Sequence, residues 1–262
     1  MDLQLTDKLA LVSGSSKGIG YAIAKLLARE GARVIVNGRS DGSVGQALEQ
    51  IRRELPGAKL EGFAGDLAEA SAAAQLVERF PKVDILVNNL GIYQPKAFEE
   101  IPDEEWRRFF EVNVLSAVRL SRLYLPAMRA QNWGRLVFIS SESGIQIPVE
   151  MIHYGMTKTA LLAVSRGIAE SCAGSGVTSN AVLPGPTLSA GVEEFAAKLS
   201  GGQSLAEFEQ EFFRTVRPSS LLKRFASCDE VASLVAFVCS PLSLATNGAA
   251  LRVDGGVVRS CF

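Results

Sequence analysis

Tyr154 and Lys158 stand four residues apart in the run Tyr154-Gly155-Met156-Thr157-Lys158. Residues at that spacing share one face of an α-helix. A tyrosine alone has a pKa of ~10 and gives up its proton poorly at neutral pH. An ammonium beside it favours the phenolate and lowers that pKa, which makes the pair a usable acid and base near neutrality. In isolation the same spacing is also common on solvated helix faces. A second stretch able to do chemistry is Ser13-Gly14-Ser15-Ser16-Lys17-Gly18-Ile19-Gly20. Glycines permit a tight turn and bring backbone close to a ligand. A helix that starts there aims free N–H groups and the positive end of its dipole at a pyrophosphate. An ordinary glycine-rich strand–helix turn has the same composition. Gly20 stands where a P-loop has lysine, and no Gly-Lys-Ser/Thr occurs, so a nucleoside-triphosphatase reading is poor.

These residues need elements to hold them. Short β-branched runs alternate with amphipathic stretches along the whole chain. The runs 9–13, 34–36, 60–63, 83–87, 135–139, 177–183 and 249–253 read as strands. Helical spacing is expected over 21–29, 44–55, 67–80, 103–128 with a bend near Pro126, 152–173, 192–215 with a break at Gly201-Gly202, and 228–238. Strands alternating with helices predict βαβ units and an α/β fold, a doubly wound, mostly parallel seven-stranded sheet of Rossmann type. Ligands in such sheets bind at the carboxyl ends of the strands, near the switch point. The glycine run follows the first strand, and Ser140-Ser141 closes the fifth.

Composition narrows the function further. The 262 residues are 47% hydrophobic and 21% charged, a globular balance long enough for one large domain spanning 1–262. Lys plus Arg is 27 against 28 Asp plus Glu, so no strongly basic face is required and no nucleic acid is expected as a partner. No run reaches the ~18 apolar residues of a membrane span, and the first residues lack a basic start and apolar centre. The expected place is the cytoplasm, with no membrane partner. Cys172, Cys228, Cys239 and Cys261 have no metal-like spacing, and His153 is the only histidine. Multi-histidine metal sites are thereby excluded, and no metal is expected.

The Gly-x-x-x-Gly-x-Gly spacing of Gly14, Gly18 and Gly20 resembles the short-chain dehydrogenase/reductase family, with Ser13 replacing its usual opening threonine. Further motifs follow in the family's order from about Lys8 to Gly256. Asn88-Asn89-Leu90-Gly91 is similar to the family's NNAG, with Leu90 in place of alanine. Asn113, Ser141, Tyr154 and Lys158 resemble its catalytic tetrad, Ser141 lying thirteen residues before Tyr154. Pro184-Gly185 resembles its carboxamide-binding loop, and Asp254-Gly255-Gly256 its closing DGG. The resemblance, closest to 3-oxoacyl-acyl-carrier-protein reductase-like members, implies hydride transfer between a nicotinamide and a carbonyl or secondary alcohol. Tyr154 would be acid and base and Ser141 would hold the substrate oxygen. Lys158 would support Tyr154 and the nicotinamide ribose, and Asn113 would hold a proton-relay water.

The resemblance also implies cofactor contacts at Gly14, Ser16, Lys17, Gly18, Ile19, Gly20, Asp66, Leu67, Asn89, Gly91, Pro184 and Gly185, with Tyr154 and Lys158. Thr187 or Ser189 would supply a hydroxyl to the carboxamide. After the second strand, Gly38 stands where a carboxylate would bind the ribose 2′-OH of NAD, and Arg39 follows. An arginine grips a 2′-phosphate through several donors. With Lys17 nearby, NADP(H) is the expected cofactor, with NAD(H) also possible. Arg39 as a solvated loop charge and Asp41 as a helix cap are the plainer readings. The expected partner is a small carbonyl or alcohol, and the resemblance adds a homotetramer built on 103–128 and 152–173.

Substrate identity is open. The resemblance implies a substrate lid around 188–225, where Phe195, Phe208, Phe212 and Phe213 could line a pocket or pack the lid down. Glu142 or Glu150 could meet a polar group, and His153 reads as structural. An acyl-thioester reductase and a reductase for hydroxylated or sugar-like compounds both fit. So does an NADP(H)-binding regulator with little turnover.

Overall fold

The computed structural model describes residues 1–189 and 204–261. Its central sheet has seven strands, all paired in parallel: β1 (Leu9–Val12), β2 (Arg33–Gly38), β3 (Lys59–Ala64), β4 (Ile85–Asn88), β5 (Gly134–Ile139), β6 (Val177–Pro184) and, at one edge, β9 (Ala250–Val253). Their order is β3-β2-β1-β4-β5-β6-β9. Two short strands outside it, β7 (Thr187–Leu188) and β8 (Ala226–Ser227), pair with each other.

The strands are apolar on both faces because both faces are covered. Side chains alternate with the period of two that a strand imposes. Ala10, Val12, Val34, Val36, Ile85 and Val87 face a core with α1 (Gly18–Arg29), α2 (Asp41–Glu54) and the late helix α8 (Cys228–Cys239). Leu11, Ile35, Leu86, Leu136 and Phe138 face the opposite core. That core is built with α3 (Ala70–Arg79), α5 (Ser116–Ala130) and α6 (Ile152–Ser171).

The stretch expected to bend near Pro126 stays helical through that residue, and its hydrogen-bonding pattern changes around Asn113. After α4 (Asp103–Phe110), residues Glu111–Leu115 form a turn of π-helix, and α5 then continues past Pro126. A π-turn loosens the ladder and re-aims one side chain, here the amide of Asn113. The expected helix over 192–215 is described only from Ser204 onward, as α7 (Leu205–Thr215). Phe195 and Gly201-Gly202 lie outside the described residues. Successive strands are laid down outward in one sense from β1 to β3 and in the other from β4 onward, so the loops after β1 and β4 part and leave a crevice.

Candidate active site

The floor of the crevice is knit by short polar side chains. Ser13 Oγ accepts the backbone N–H of Asn89 at 2.9 Å and of Leu90 at 3.1 Å. Asn89 Nδ2 donates back to the carbonyls of Ser13 and Gly14, both at 3.0 Å. Ser13 thus does through its hydroxyl what its position requires, tying the loop after β1 to the loop after β4. Asn37, which the sequence reading passed over, is the third tie. Its Oδ1 accepts from Gly14 N at 2.9 Å, while Nδ2 donates to the carbonyls of Phe63 and Gly65. A buried asparagine closing an apolar strand was the available signal.

Gly14 and Gly18 sit at φ +60° and +61°, where a side chain is strained. A Cβ at Gly20 would stand 2.5 Å from the Gly14 carbonyl oxygen. Lys17 precedes α1 without a side-chain hydrogen bond to its first turn. The first-turn amides of α1 therefore face the crevice with no side-chain cap, which fits a phosphate group.

Lys17, Gly18, Ile19 and Gly20 line one end of the crevice with Asn89, Gly91 and Ser189. Gly14 and Ser16 support that end, since a Cβ at Gly38 would lie 3.1 Å from Ser16 Cβ. Arg39 and Asp66 are exposed at the carboxyl ends of β2 and β3, on the same edge of the sheet, and line neither part of the crevice. Asp66 Oδ1 accepts from Ala68 N at 3.0 Å. Leu67 is buried in the core, which leaves its backbone as the part able to meet a ligand. Ser40, and not Asp41, caps α2.

Ile19, Asn89, Gly91, Ser141, Tyr154, Lys158, Pro184, Gly185, Thr187 and Ser189 come together around the other part of the crevice. Asn113 is buried beside them. Its Oδ1 accepts from Ile92 N at 2.8 Å, and Nδ2 donates to Ile92 O and Thr157 Oγ1, both at 3.0 Å. Thr157 Oγ1 in turn donates to the Tyr154 carbonyl at 2.7 Å. Asn113 thus braces the loop after β4 against α6. A Cβ at Gly91 would lie 3.4 Å from Lys158 Nζ and 3.5 Å from Asn113 Oδ1, so this close approach suits a glycine. Ser140 Oγ donates to the Lys158 carbonyl at 2.8 Å and so serves the helix.

Lys158 Nζ donates to the Ile139 carbonyl at 2.9 Å and lies 5.5 Å from the centre of the Tyr154 ring. Burial lowers its pKa to about 8. The expectation of a lowered tyrosine pKa is corrected here. Burial raises the Tyr154 pKa and the Glu142 charge adds to the rise, outweighing a hydrogen bond with Ser141. The lysine stands over the ring while its head group is held by the Ile139 carbonyl, so it does not reverse that rise.

Thr187 Oγ1 donates to the Gly185 carbonyl at 2.9 Å. Ser189 reaches the phosphate loop, its Cβ 3.6 Å from a Cβ placed on Gly18. Asp254 braces the Pro184-Gly185 loop from behind: its backbone packs against Gly185, while its carboxylate accepts from Gly256 N and Val258 N. Phe208, Phe212 and Phe225 line the pocket, and the buried Phe213 packs its ring 5.2 Å from Phe225. The two readings of the lid phenylalanines thus both hold, for different residues. His153 is fully buried, 4.0 Å from the Phe109 ring centre, and burial lowers its pKa.

Beyond Ser141 the wall is charged. Glu142 is buried, accepts the Ser141 hydroxyl, and pairs with Arg217 Nε at 3.1 Å. Arg217 Nη1 pairs with Glu150 at 3.0 Å. Burial opposes the Arg217 charge, but the two carboxylates together raise its pKa. Arg217 was missed from sequence; its position before Pro218 in a phenylalanine-rich stretch was the faint signal.

Residues 14–258 match the family model described as enoyl-(acyl carrier protein) reductase. The chain is 48% identical over 264 residues to the uncharacterized oxidoreductase YvaG of Bacillus subtilis (strain 168), covering all of both chains. It is 33% identical over 262 residues to a D-beta-hydroxybutyrate dehydrogenase of Cupriavidus necator, covering 97% of this chain and 99% of that one. The L-sorbose reductase of Gluconobacter frateurii, solved with NADPH and L-sorbose, superposes with a TM-score of 0.92 at 30% identity, covering 99% of this chain and all of that one. With its switch-point crevice, glycine turn and gathered Asn113, Ser141, Tyr154 and Lys158, the chain belongs to the short-chain dehydrogenase/reductase family, oxidoreductases that act on CH–OH and C=O groups.

Proposed function

We propose that the protein is an NADP(H)-dependent carbonyl reductase with Tyr154 as its proton donor. The observation that carries this reading is the juxtaposition of Ser141, Tyr154 and Lys158 in one pocket that runs into the glycine-rich crevice. The first turn of α1, with Gly14, Gly18 and Gly20, would hold the pyrophosphate. Arg39 and Lys17 would take the 2′-phosphate, Asp66 and the Leu67 backbone the adenine. Asn89, Gly91, Pro184, Gly185 and a hydroxyl of Thr187 or Ser189 would frame the nicotinamide. When bound, the dinucleotide supplies the hydride.

The chain's own residues handle the oxygen. Tyr154 retains its proton across the neutral range because burial and Glu142 raise its pKa, so it enters as the acid that carbonyl reduction requires. An alkoxide is far more basic than a phenolate, so the proton passes from Tyr154 to the new alcohol. Lys158 stands close enough to stabilise the phenolate left behind. Ser141 positions the oxygen, and Asn113 keeps the loop after β4 and α6 in register. Family membership and the complete set of four favour turnover over the regulatory reading. NADPH in the L-sorbose reductase complex supports the cofactor assignment.

The test is NADPH consumption against aliphatic, aromatic and hydroxylated ketones, 3-oxoacyl thioesters and ketoses, with Tyr154→Phe in parallel. Turnover by the wild type that falls at least ~100-fold in the variant is expected. Undiminished turnover by the variant would overturn the role of Tyr154.

A further inference from the structure

We infer that Arg217 selects uncharged dicarbonyl substrates, donating from Nη2 to the second carbonyl oxygen while Tyr154 and Ser141 take the reacting one; this inference rests on the carbonyl-reductase reading above. An arginine has five N–H donors. Three of those on Arg217 are engaged. Nε donates to Glu142 Oε1 at 3.1 Å, and Nη1 donates to Glu150 Oε1 and to the Val216 carbonyl, both at 3.0 Å. The two on Nη2 meet no acceptor among the described residues, although Arg217 is only 8% exposed. Buried donors normally have partners, and here the partner arrives with the substrate.

The guanidinium is fixed in place. The Arg217 backbone N donates to the Phe212 carbonyl at 3.0 Å at the end of α7, and Pro218 follows. Glu142, next to Ser141 in the chain, and Glu150 hold two of its edges. With Nε and Nη1 turned to these acids, Nη2 is the edge left to the pocket, which Arg217 lines together with Ser141 and Tyr154. Burial and the Glu142 charge raise the Tyr154 pKa, and the Arg217 charge works against them, so the guanidinium acts within electrostatic reach of the reacting proton. In the reaction one carbonyl carbon gains the hydride of NADPH and its oxygen gains the Tyr154 proton. The second carbonyl stays on Nη2 unchanged, the product is a hydroxy-carbonyl compound, and NADPH becomes NADP+.

Charge and shape restrict the class further. Two carboxylates already answer the one guanidinium. A substrate carboxylate would make three acids around it, a costly arrangement once water is excluded. An ester or ketone oxygen accepts from Nη2 without adding charge. A ketone with no second acceptor displaces water from Nη2 and leaves its donors unpaired, which penalises that substrate. Met151, Phe208, Phe212 and Phe225 line the same pocket and suit an apolar remainder.

The experiment measures NADPH-dependent reduction of ethyl pyruvate and ethyl acetoacetate by the full chain. Each ester is set against its hydrocarbon analogue, 2-hexanone or 2-heptanone, and against its free acid anion. With the wild type, at least one ester should exceed both its analogue and its anion by at least ~10-fold in kcat/KM, the scale of one hydrogen bond to a charged group. Arg217→Lys keeps a charge between Glu142 and Glu150, but a lysine has three donors, and the three acceptors already present fill them. The variant should therefore lower the ester-to-analogue ratio at least ~10-fold, a comparison in which the intrinsic reactivity of the ester cancels. A loss shared equally by ester and analogue, or an unchanged ratio, overturns the inference. So do wild-type ratios near unity for both esters, or anions reduced as well as the esters, whether or not the variant folds. Reduction of other ketones but of neither ester also overturns it and leaves the reductase reading standing. Failure of every carbonyl to react removes both.

Discussion

Burial lowers the Lys158 ammonium to about 8 and keeps Tyr154 protonated, and the two shifts together give the reaction a direction in pH. In the proposed mechanism, below about 8 Lys158 carries the charge that supports the phenolate formed when Tyr154 gives up its proton. As pH rises through that value the charge is lost and the proton becomes harder to release. For carbonyl reduction, kcat/KM should therefore be level on the acid side and fall about tenfold per unit above pH 8. A profile level to about pH 10 contradicts the role of Lys158. Arg39 supports a second prediction at this scale. It is exposed and immediately follows Gly38 at the carboxyl end of β2. Arg39→Ala should weaken NADPH binding at least ~10-fold and NADH binding less than ~3-fold, measured by fluorescence titration. Equal losses for the two dinucleotides would remove the 2′-phosphate role.

Among the elements, the β1–α1 turn is the most exacting. Gly20 faces the Gly14 carbonyl oxygen and Asn89 Nδ2, each 2.5 Å from where a Cβ would sit, and both groups are held by the tie between the β1 and β4 loops. Gly20→Ala must displace backbone that Ser13, Asn37 and Asn89 fix. It should weaken NADPH binding at least ~10-fold and destabilise the fold by about 1–3 kcal/mol, read by urea unfolding. Unchanged binding and stability would show that the turn yields easily.

The order of strands and helices was legible because parallel strands buried on both faces read as apolar runs and the helices between them as amphipathic ones. The π-turn was not, because the amide of Asn113 is engaged with Ile92, in the loop after β4, and with Thr157 on α6. Proline drew attention to position 126, where α5 continues as a helix, and away from the π-turn at Asn113. Tyr154 and Lys158 were legible as a pair by spacing, whereas the direction of the tyrosine shift depends on burial, which spacing does not encode. Arg217 was not legible because its partner Glu142 lies 75 residues away in sequence.

At the scale of the molecule, the two cores clamp the sheet, and the crevice opens where strand order reverses. One consequence is that the pocket around Tyr154 and the glycine-rich end of the crevice meet at Ile19, Asn89, Gly91 and Ser189, which line both. Another concerns assembly. The helices expected at a subunit interface leave Phe110 and Leu123 partly exposed, on α4 and α5. We propose a homotetramer built on α4, α5 and α6. Light scattering coupled to gel filtration should give four times the chain mass, and Leu123→Arg should shift it to smaller species. A monomer at micromolar concentration contradicts this arrangement.

The measurement that reaches the central claim most directly follows deuterium from NADPH carrying deuterium at both nicotinamide C4 positions into the alcohol product, for wild type and Tyr154→Phe. Hydride transfer assisted by Tyr154 predicts one deuterium on the carbinol carbon with the wild type, and at least ~100-fold slower labelling by a variant that still binds NADPH. Labelling by Tyr154→Phe at the wild-type rate, or product formed by the wild type without deuterium at that carbon, would contradict the account.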